Sequence, residues 1–203
     1  MYKNVALTGT SGVGKDYIAD LLVKSYRFQK LSFIEPLRRC LYEKFGVPFH
    51  PYNIDKTFEH NHKFNGYTIQ ELLIKANEYL GADGKLIMRT IMRIKINYFN
   101  EDDFTPVVIS NLRFPAELEF LRDFDVYRVV GNAVRGIQEF DTLLDDYNFK
   151  VVGNYKPNTP KEILSQLDFN ESTQSYYRTF SWDEHDELLN NLSNRIMEWD
   201  IIS

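Results

Sequence analysis

The segment Gly9-Thr10-Ser11-Gly12-Val13-Gly14-Lys15-Asp16 constrains this chain more than any other. It follows a short apolar run, Val5-Ala6-Leu7, and precedes a helical pattern in which Ile18, Leu21 and Leu22 share one face. A buried strand, a glycine turn and an amphipathic helix in that order open a βαβ unit. Residues 9–15 also fit G-x-x-x-x-G-K, the first seven positions of the phosphate-loop pattern. Glycine lets the backbone curl around an anion with its N–H groups pointing inward, and the helix aims its positive end at the same point. Lys15 adds a full positive charge for the β- and γ-phosphates of a nucleotide. The bland alternative is an ordinary glycine-rich turn between a strand and a helix. The eighth position is Asp16, where the pattern has Ser or Thr. Two roles fit it: a hard-oxygen ligand for Mg²⁺, or a carboxylate that complements the helix dipole.

The rest of the chain alternates in the same way. Strands are expected over residues 4–8, 26–33, 106–110 and 125–130. Helices are expected from Pro36, over 68–80 and 85–98, from Pro115 to Leu121, and at the C-terminal end. The last helix carries Leu188, Leu189, Leu192, Ile196 and Trp199 on one face, with Ser181 and Glu184 as a capping box. Residues 46–67 read as a long polar loop, and 131–180 has weak periodicity. This pattern predicts an α/β phosphate-loop NTPase sandwich of three layers, a parallel sheet with helices on both faces and a helical substrate or lid lobe. It is expected as one domain over 1–203, with a substrate-binding insertion at about 34–100 and a lid-like region at about 131–180. Ligands of such sheets bind beyond the carboxyl ends of the strands, here Thr8, Phe33 and Ser110.

Composition narrows the function classes. The chain has 203 residues, 24 Lys+Arg against 29 Asp+Glu, and a formal net charge of -5. That balance argues against binding to nucleic-acid polymers, while a small anionic ligand needs only a locally positive site. The single cysteine, Cys40, excludes an intrachain disulfide and fits a reducing, cytoplasmic compartment. It lies on an apolar stripe and reads as a small buried hydrophobe. No apolar stretch approaches a membrane span. His60 and His62 read as solvated loop residues, and the run Glu101-Asp102-Asp103 as a solvated loop. Aromatic side chains such as Phe49, Tyr52, Phe58, Tyr176, Tyr177 and Trp182 are expected mainly in packing.

The Gly-Lys-Asp ending of the loop resembles that of phage-type deoxynucleoside monophosphate kinases, with animal phosphomevalonate kinase as a distant relative. Three further segments match in order. Leu31-Ser32-Phe33-Ile34-Glu35-Pro36-Leu37-Arg38-Arg39 is similar to the family's second strand-to-helix segment. Val107-Val108-Ile109-Ser110-Asn111-Leu112-Arg113-Phe114-Pro115-Ala116-Glu117 resembles its strand ending in Asp-x-Arg, with Asn111 in place of the Asp. Residues 126–136 resemble the next strand and an arginine-bearing turn. Residues 46–66 and 137–180 carry almost no resemblance.

The resemblance implies ATP-dependent phosphorylation of a deoxynucleoside monophosphate, with Mg²⁺ as cofactor. It implies ATP contacts from Gly9, Thr10, Ser11, Gly12, Val13, Gly14, Lys15 and Asp16, with Mg²⁺ at Asp16. Lys15, Arg113 and Arg135 are then the candidate catalytic residues. Glu35, Arg38, Arg39, Arg89 and Arg113 are the candidates for the acceptor side. Each has a structural alternative: an ion pair with Glu117 for Arg113, a solvated helix face for Arg38 and Arg39. Two rivals stay open: another phosphate-loop kinase acting on a phosphomonoester of the phosphomevalonate or dephospho-coenzyme A type, and a catalytically weak nucleotide-binding protein. Base preference and a homodimeric state are left undecided.

Overall fold

The computed structural model describes residues 2–49, 61–101, 105–132, 143–155, 158–167 and 181–200. They fall into two compact units: Met1–Ser32 with Lys95–Arg178, and Phe33–Ile94 with Thr179–Ser203.

The first unit is built on five strands: β1 (Val5–Thr8), β2 (Gln29–Leu31), β5 (Val107–Ile109), β6 (Asp125–Gly131) and β7 (Lys150–Asn154). Their order in the sheet is β2-β5-β1-β6-β7, and every neighbouring pair is parallel. β1 therefore lies between two parallel partners, with Ala6 opposite Ile109 on one side and Val126 on the other. All residues of β1 and β5 are buried. Side chains alternate between faces, so both faces of the sheet are covered, as a parallel sheet requires. Helix α1 (Lys15–Tyr26) packs Ile18, Ala19 and Leu22 onto one face, beside Ile163 and Leu164 of the short helix α5 (Pro160–Leu164).

A buried side chain sets the start of the sheet. Asn4 is 1% exposed, and its Oδ1 accepts a hydrogen bond from the Val107 backbone N–H at 2.8 Å. Just before β1 the chain thus binds the first N–H of β5 by a side chain. Asn4 also accepts, through its own carbonyl, from Asp125 N at 2.9 Å. One residue thereby aligns the starts of β5 and β6 against β1.

The second unit holds α2 (Glu35–Phe45), a 3-10 turn (Val47–Phe49) and a small hairpin of β3 (Lys63–Phe64) and β4 (Tyr67–Thr68). It also holds residues 69–94 of α3 (Ile69–Glu101) and α6 (Trp182–Glu198). The hairpin turns on Asn65 and Gly66, both at positive φ (51° and 83°), the backbone of the tight two-residue turn that Asn-Gly favours. Its core joins Leu37, Cys40, Leu41, Phe49, Ile69, Leu72 and Ile91 to Leu189, Leu192 and Ile196. Lys44 closes the end of α6 by donating to the carbonyls of Ile196, Met197 and Trp199, the first of which also accepts from the Trp199 backbone N–H.

Several boundaries differ from expectation. The second strand is short, 29–31, because α1 continues to Tyr26 and Phe33 lies in a turn before α2. The two helices expected on either side of 81–84 are present and meet at a kink, but the break is confined to Gly81 (φ 62°, ψ −160°), and residues 82–84 are helical. The helix begun by Pro115 is one turn, α4 (Pro115–Leu118). The weakly periodic region 131–180, expected to be lid-like, supplies the fifth strand, β7, and α5. Part of the loop 46–67 is ordered as the 3-10 turn and the hairpin, while Tyr52, Phe58 and His60 lie outside the described residues. Ser181 caps α6 by accepting from Asp183 N at 3.0 Å, one residue short of the expected capping-box donor.

Two consequences are measurable. Asn4→Ala leaves the buried Val107 N–H without its acceptor, so it should destabilise the protein by about 1–3 kcal/mol in chemical denaturation. Burial pushes the Cys40 thiol up to about 12. The native protein should react with a thiol reagent at pH 8 far more slowly than a small thiol, and reactivity should appear with the unfolding transition.

Candidate functional site

The link from β1 to α1 is the centre of the first unit. Gly9, Gly12 and Gly14 have φ of 131°, 81° and 101°, a region L-residues with a Cβ rarely enter. Two of them are also tight. A Cβ on Gly9 would lie 2.4 Å from the Val129 carbonyl oxygen, and one on Gly14 would lie 2.1 Å from Asn154 Nδ2. The loop therefore presses against β6 on one side and the end of β7 on the other.

Lys15 is the first residue of α1 and is only 7% exposed. Its ammonium turns back into the loop, donating to the carbonyls of Gly9 at 2.5 Å and Thr10 at 2.8 Å. A buried cation inside a ring of backbone, at the N-terminal end of a helix, is an anion site by charge and by dipole. Asn154 braces the ring from β7, its Nδ2 donating to the Val13 carbonyl at 2.8 Å.

Asp16 follows in the first turn of α1. Its Oδ1 accepts from the Ser110 hydroxyl at 2.7 Å and lies 3.2 Å from Lys30 Nζ. Ser110 is 3% exposed and stands at the carboxyl end of β5, the strand beside β1. A carboxylate on the helix and a hydroxyl at the neighbouring strand end thus meet beside the loop. Lys30 of β2 also reaches Asp20 Oδ1 at 2.8 Å. Partial burial disfavours its ammonium, but the hydrogen bonds and charges of Asp20 and Asp16 outweigh it and hold the Lys30 pKa above the ordinary lysine value.

Beyond Ser110 the chain continues along the sheet edge, with Leu112 N donating to Leu7 O at 3.3 Å. Glu117 is 7% exposed, and its Oε2 accepts from the backbone N–H groups of Arg113 (2.8 Å) and Phe114 (3.0 Å). It thereby fixes the turn that carries Asn111 and the half-buried Arg113 at the carboxyl edge of the sheet. On the other flank of the loop is a cleft of about 290 Å³, lined among others by Gly9, Thr10, Val13, Arg128, Gly131 and Tyr155. Arg128 is held there by Asp145 Oδ1 at 3.0 Å and the Leu144 carbonyl, with its guanidinium over the Phe149 ring.

The structure thus brings Lys15, Asp16, the loop residues and Arg113 into the first unit. Glu35, Arg38, Arg39 and Arg89 belong to the second. Within it, Glu35 is buried at the start of α2, Arg38 and Arg89 are half-buried, and Arg39 is exposed with its Nε 3.3 Å from Glu43 Oε1. Arg135 lies outside the described residues. Lys30 and Asn154 escaped the sequence reading. Lys30 meets its partners only through the fold, and Asn154 ends a strand that the sequence pattern did not reveal. Among the described residues no group of three His, Cys, Asp or Glu side chains could hold a metal, and no helix is long and apolar enough to cross a membrane.

A five-stranded parallel sheet whose first strand leads through a glycine ring and an inward lysine into a helix is an α/β fold of the phosphate-loop NTPase type. Comparison with known proteins adds little to that. No protein-family profile and no curated protein matches the sequence. Among solved structures, a sugar kinase from Janibacter sp. HTCC2649 is similar over 82% of this chain and 92% of its own, at 10% identity and a TM-score of 0.41. A gluconokinase from Sinorhizobium meliloti 1021 is similar over 96% of this chain and 95% of its own, at 10% identity and a TM-score of 0.33. At such TM-scores, chemistry and substrate have to be read from the residues of this chain.

The close approach of Gly9 to β6 makes a direct prediction. Gly9→Ala combines a disfavoured φ with a clash against backbone, so it should destabilise the protein by at least about 1–3 kcal/mol, read as a lower midpoint in urea.

Proposed function

We propose that this chain is an ATP-dependent kinase of a small phosphorylated acceptor, and that the acceptor is a deoxynucleoside monophosphate. The observation that carries the reading is Lys15: a buried ammonium folded into a ring of positive-φ glycines at a helix N-terminus. That arrangement suits a polyphosphate, whose oxygens would take over from the carbonyls of Gly9 and Thr10 as partners of the ammonium. The choice of acceptor rests on the resemblance of the Gly-Lys-Asp loop and of the segments 31–39 and 107–117 to deoxynucleoside monophosphate kinases.

The reaction in this reading is a direct displacement. An oxygen of the acceptor phosphate attacks the γ-phosphorus of ATP, the bond to the bridging oxygen breaks, and ADP leaves with that electron pair. The acceptor is already an anion, so no protein base is required, and catalysis consists of positioning and charge neutralisation. Lys15 and the loop amides hold the donor phosphates. Arg113, on the turn pinned by Glu117, serves the acceptor or transferred phosphate, for which a guanidinium fork is suited. The roles of Arg135 and of Glu35, Arg38, Arg39 and Arg89 rest on the resemblance alone.

The residues present fit Mg²⁺. In phosphate-loop enzymes the ion is held by a hydroxyl of the loop helix and a carboxylate from a strand. Here the same two groups are present with their places exchanged: the carboxylate on α1 as Asp16, the hydroxyl at the end of β5 as Ser110, hydrogen-bonded at 2.7 Å. Mg²⁺ commonly takes only one or two carboxylates and completes its shell with water and substrate phosphates, which suits a site without a protein cage. When bound it would neutralise charge developing on the phosphate oxygens.

An assay of ADP release across the deoxynucleoside monophosphates should find at least one acceptor. Lys15→Ala should lower kcat by about 100-fold or more. Full activity in Lys15→Ala sinks the reading. Turnover only with a non-nucleotide phosphomonoester moves the substrate to that class. ATP binding without turnover on any acceptor favours a nucleotide-binding protein, a reading that Asn111 supports because an amide replaces the carboxylate of the resembling family.

A further inference from the structure

Lys30 has no part in the phosphate loop, yet it touches the carboxylate to which that loop leads. Its Nζ lies 3.2 Å from Asp16 Oδ1 and 2.8 Å from Asp20 Oδ1. Asp16 and Asp20 are one turn apart on α1 and face the same way, so a single ammonium from β2 spans both. The same Asp16 oxygen accepts the Ser110 hydroxyl at 2.7 Å. Asp16 thus already has a cation, and this cation has a second carboxylate within reach.

We infer that Lys30 is a resident counter-cation for Asp16 that competes with the divalent cation accompanying the nucleotide, and that Asp20 holds it once displaced. The inference rests on the reading that Asp16 belongs to the cation–nucleotide site. Three physical points support it. Asp16 has little use for two cations at once on one oxygen, because ammonium and divalent ion repel. Lys30 is a long side chain anchored on a strand, and moving wholly to Asp20 costs it one partner while keeping the other. Without any cation, two carboxylates one turn apart on a helix repel, so a built-in lysine keeps α1 favourable in the nucleotide-free protein. Lys30 is in this view a positioning residue that acts through Asp16. It makes cation binding at Asp16 weaker than the bare carboxylate would allow, and so ties occupancy to the arrival of the nucleotide's own phosphates.

The test is calorimetric titration of Mn²⁺ into the protein saturated with a non-hydrolysable ATP analogue. Lys30→Met should bind Mn²⁺ about 3- to 5-fold more tightly than the wild type, the scale of a partly exposed ion pair. Lys30→Arg should stay close to the wild type, since it keeps the competing charge. Asp20→Asn should bind Mn²⁺ more weakly, because Lys30 then has only Asp16 to hold. In an Asp16→Asn background, Lys30→Met and Asp20→Asn should each lose their effect, as a double-mutant cycle requires of an interaction through Asp16. Unchanged or weaker Mn²⁺ binding by Lys30→Met overturns the inference. So does a gain that persists without the Asp16 carboxylate, which would be a general field effect. Circular dichroism checks folding, and if Lys30→Met does not fold, the opposite sign expected of Asp20→Asn decides alone. Failure of the analogue to bind at all overturns the proposed function and this inference together. Analogue binding with unchanged Mn²⁺ affinity overturns this inference only.

Discussion

The placement of the Lys15 ammonium inside the glycine ring governs the geometry of the first unit. A buried cation is costly unless it is hydrogen-bonded, and here the carbonyls of Gly9 and Thr10 supply the bonds. The loop that presents those carbonyls contains three glycines at positive φ, Gly9, Gly12 and Gly14. The same backbone path leaves no room for a side chain at Gly9 against β6 or at Gly14 against Asn154. The ring, the two strands it presses on and the first turn of α1 are therefore one construction. The sheet order supports it, because β1 is paired on both sides, with β5 at Val5 and Ala6 and with β6 through to Thr8, the residue before the loop.

Charge follows the same logic. The chain is acidic overall, at -5, yet three of its described cations near this loop are committed to local partners. Lys15 is held by backbone carbonyls, Lys30 by Asp16 and Asp20, and Arg128 by Asp145 and the Leu144 carbonyl. Global charge decides which polymers a protein repels. The ligand of a site is decided by charges within a few ångströms, where screening by salt is weakest.

The sequence made the βαβ start legible because its signals are local. Glycine spacing, the apolar run before it and the helical face after it all lie within residues 5–22. The pairing of strand and helix segments was legible for the same reason, through periodicity. What it hid depends on distance along the chain. β7 carries Val151 on an exposed face and ends in Gly153 and Asn154, so it lacks the apolar run that announced β5. With β7 unseen, Asn154 could not be linked to Val13, a contact across 141 positions. Asn4 looked like a residue before a strand, but its side chain serves a strand 103 positions away. The break was visible as a glycine cluster, and the structure confines it to Gly81, with a close fit of Gly84 against Leu80 that leaves no room for a side chain there.

On the proposed reading, the Asp16–Ser110 pair stands in for the hydroxyl and carboxylate of the usual motif. Taken alone, aspartate at the eighth loop position loses a hydroxyl ligand, and Asn111 loses a carboxylate at the strand end. Together they would leave the site with the wrong inventory if each position were judged by itself. The fold brings a hydroxyl back from Ser110, and the helix supplies the carboxylate, so one of each stands beside the loop. The exchange has an electrostatic consequence. A carboxylate in the first turn of α1 gains from the helix dipole, and a hydroxyl at the buried end of β5 costs less to desolvate than a carboxylate would. Moving the charge to the helix also brings it within reach of Lys30, which a carboxylate confined to the end of β5 need not meet. The variant motif and its unexpected lysine are therefore two parts of one rearrangement.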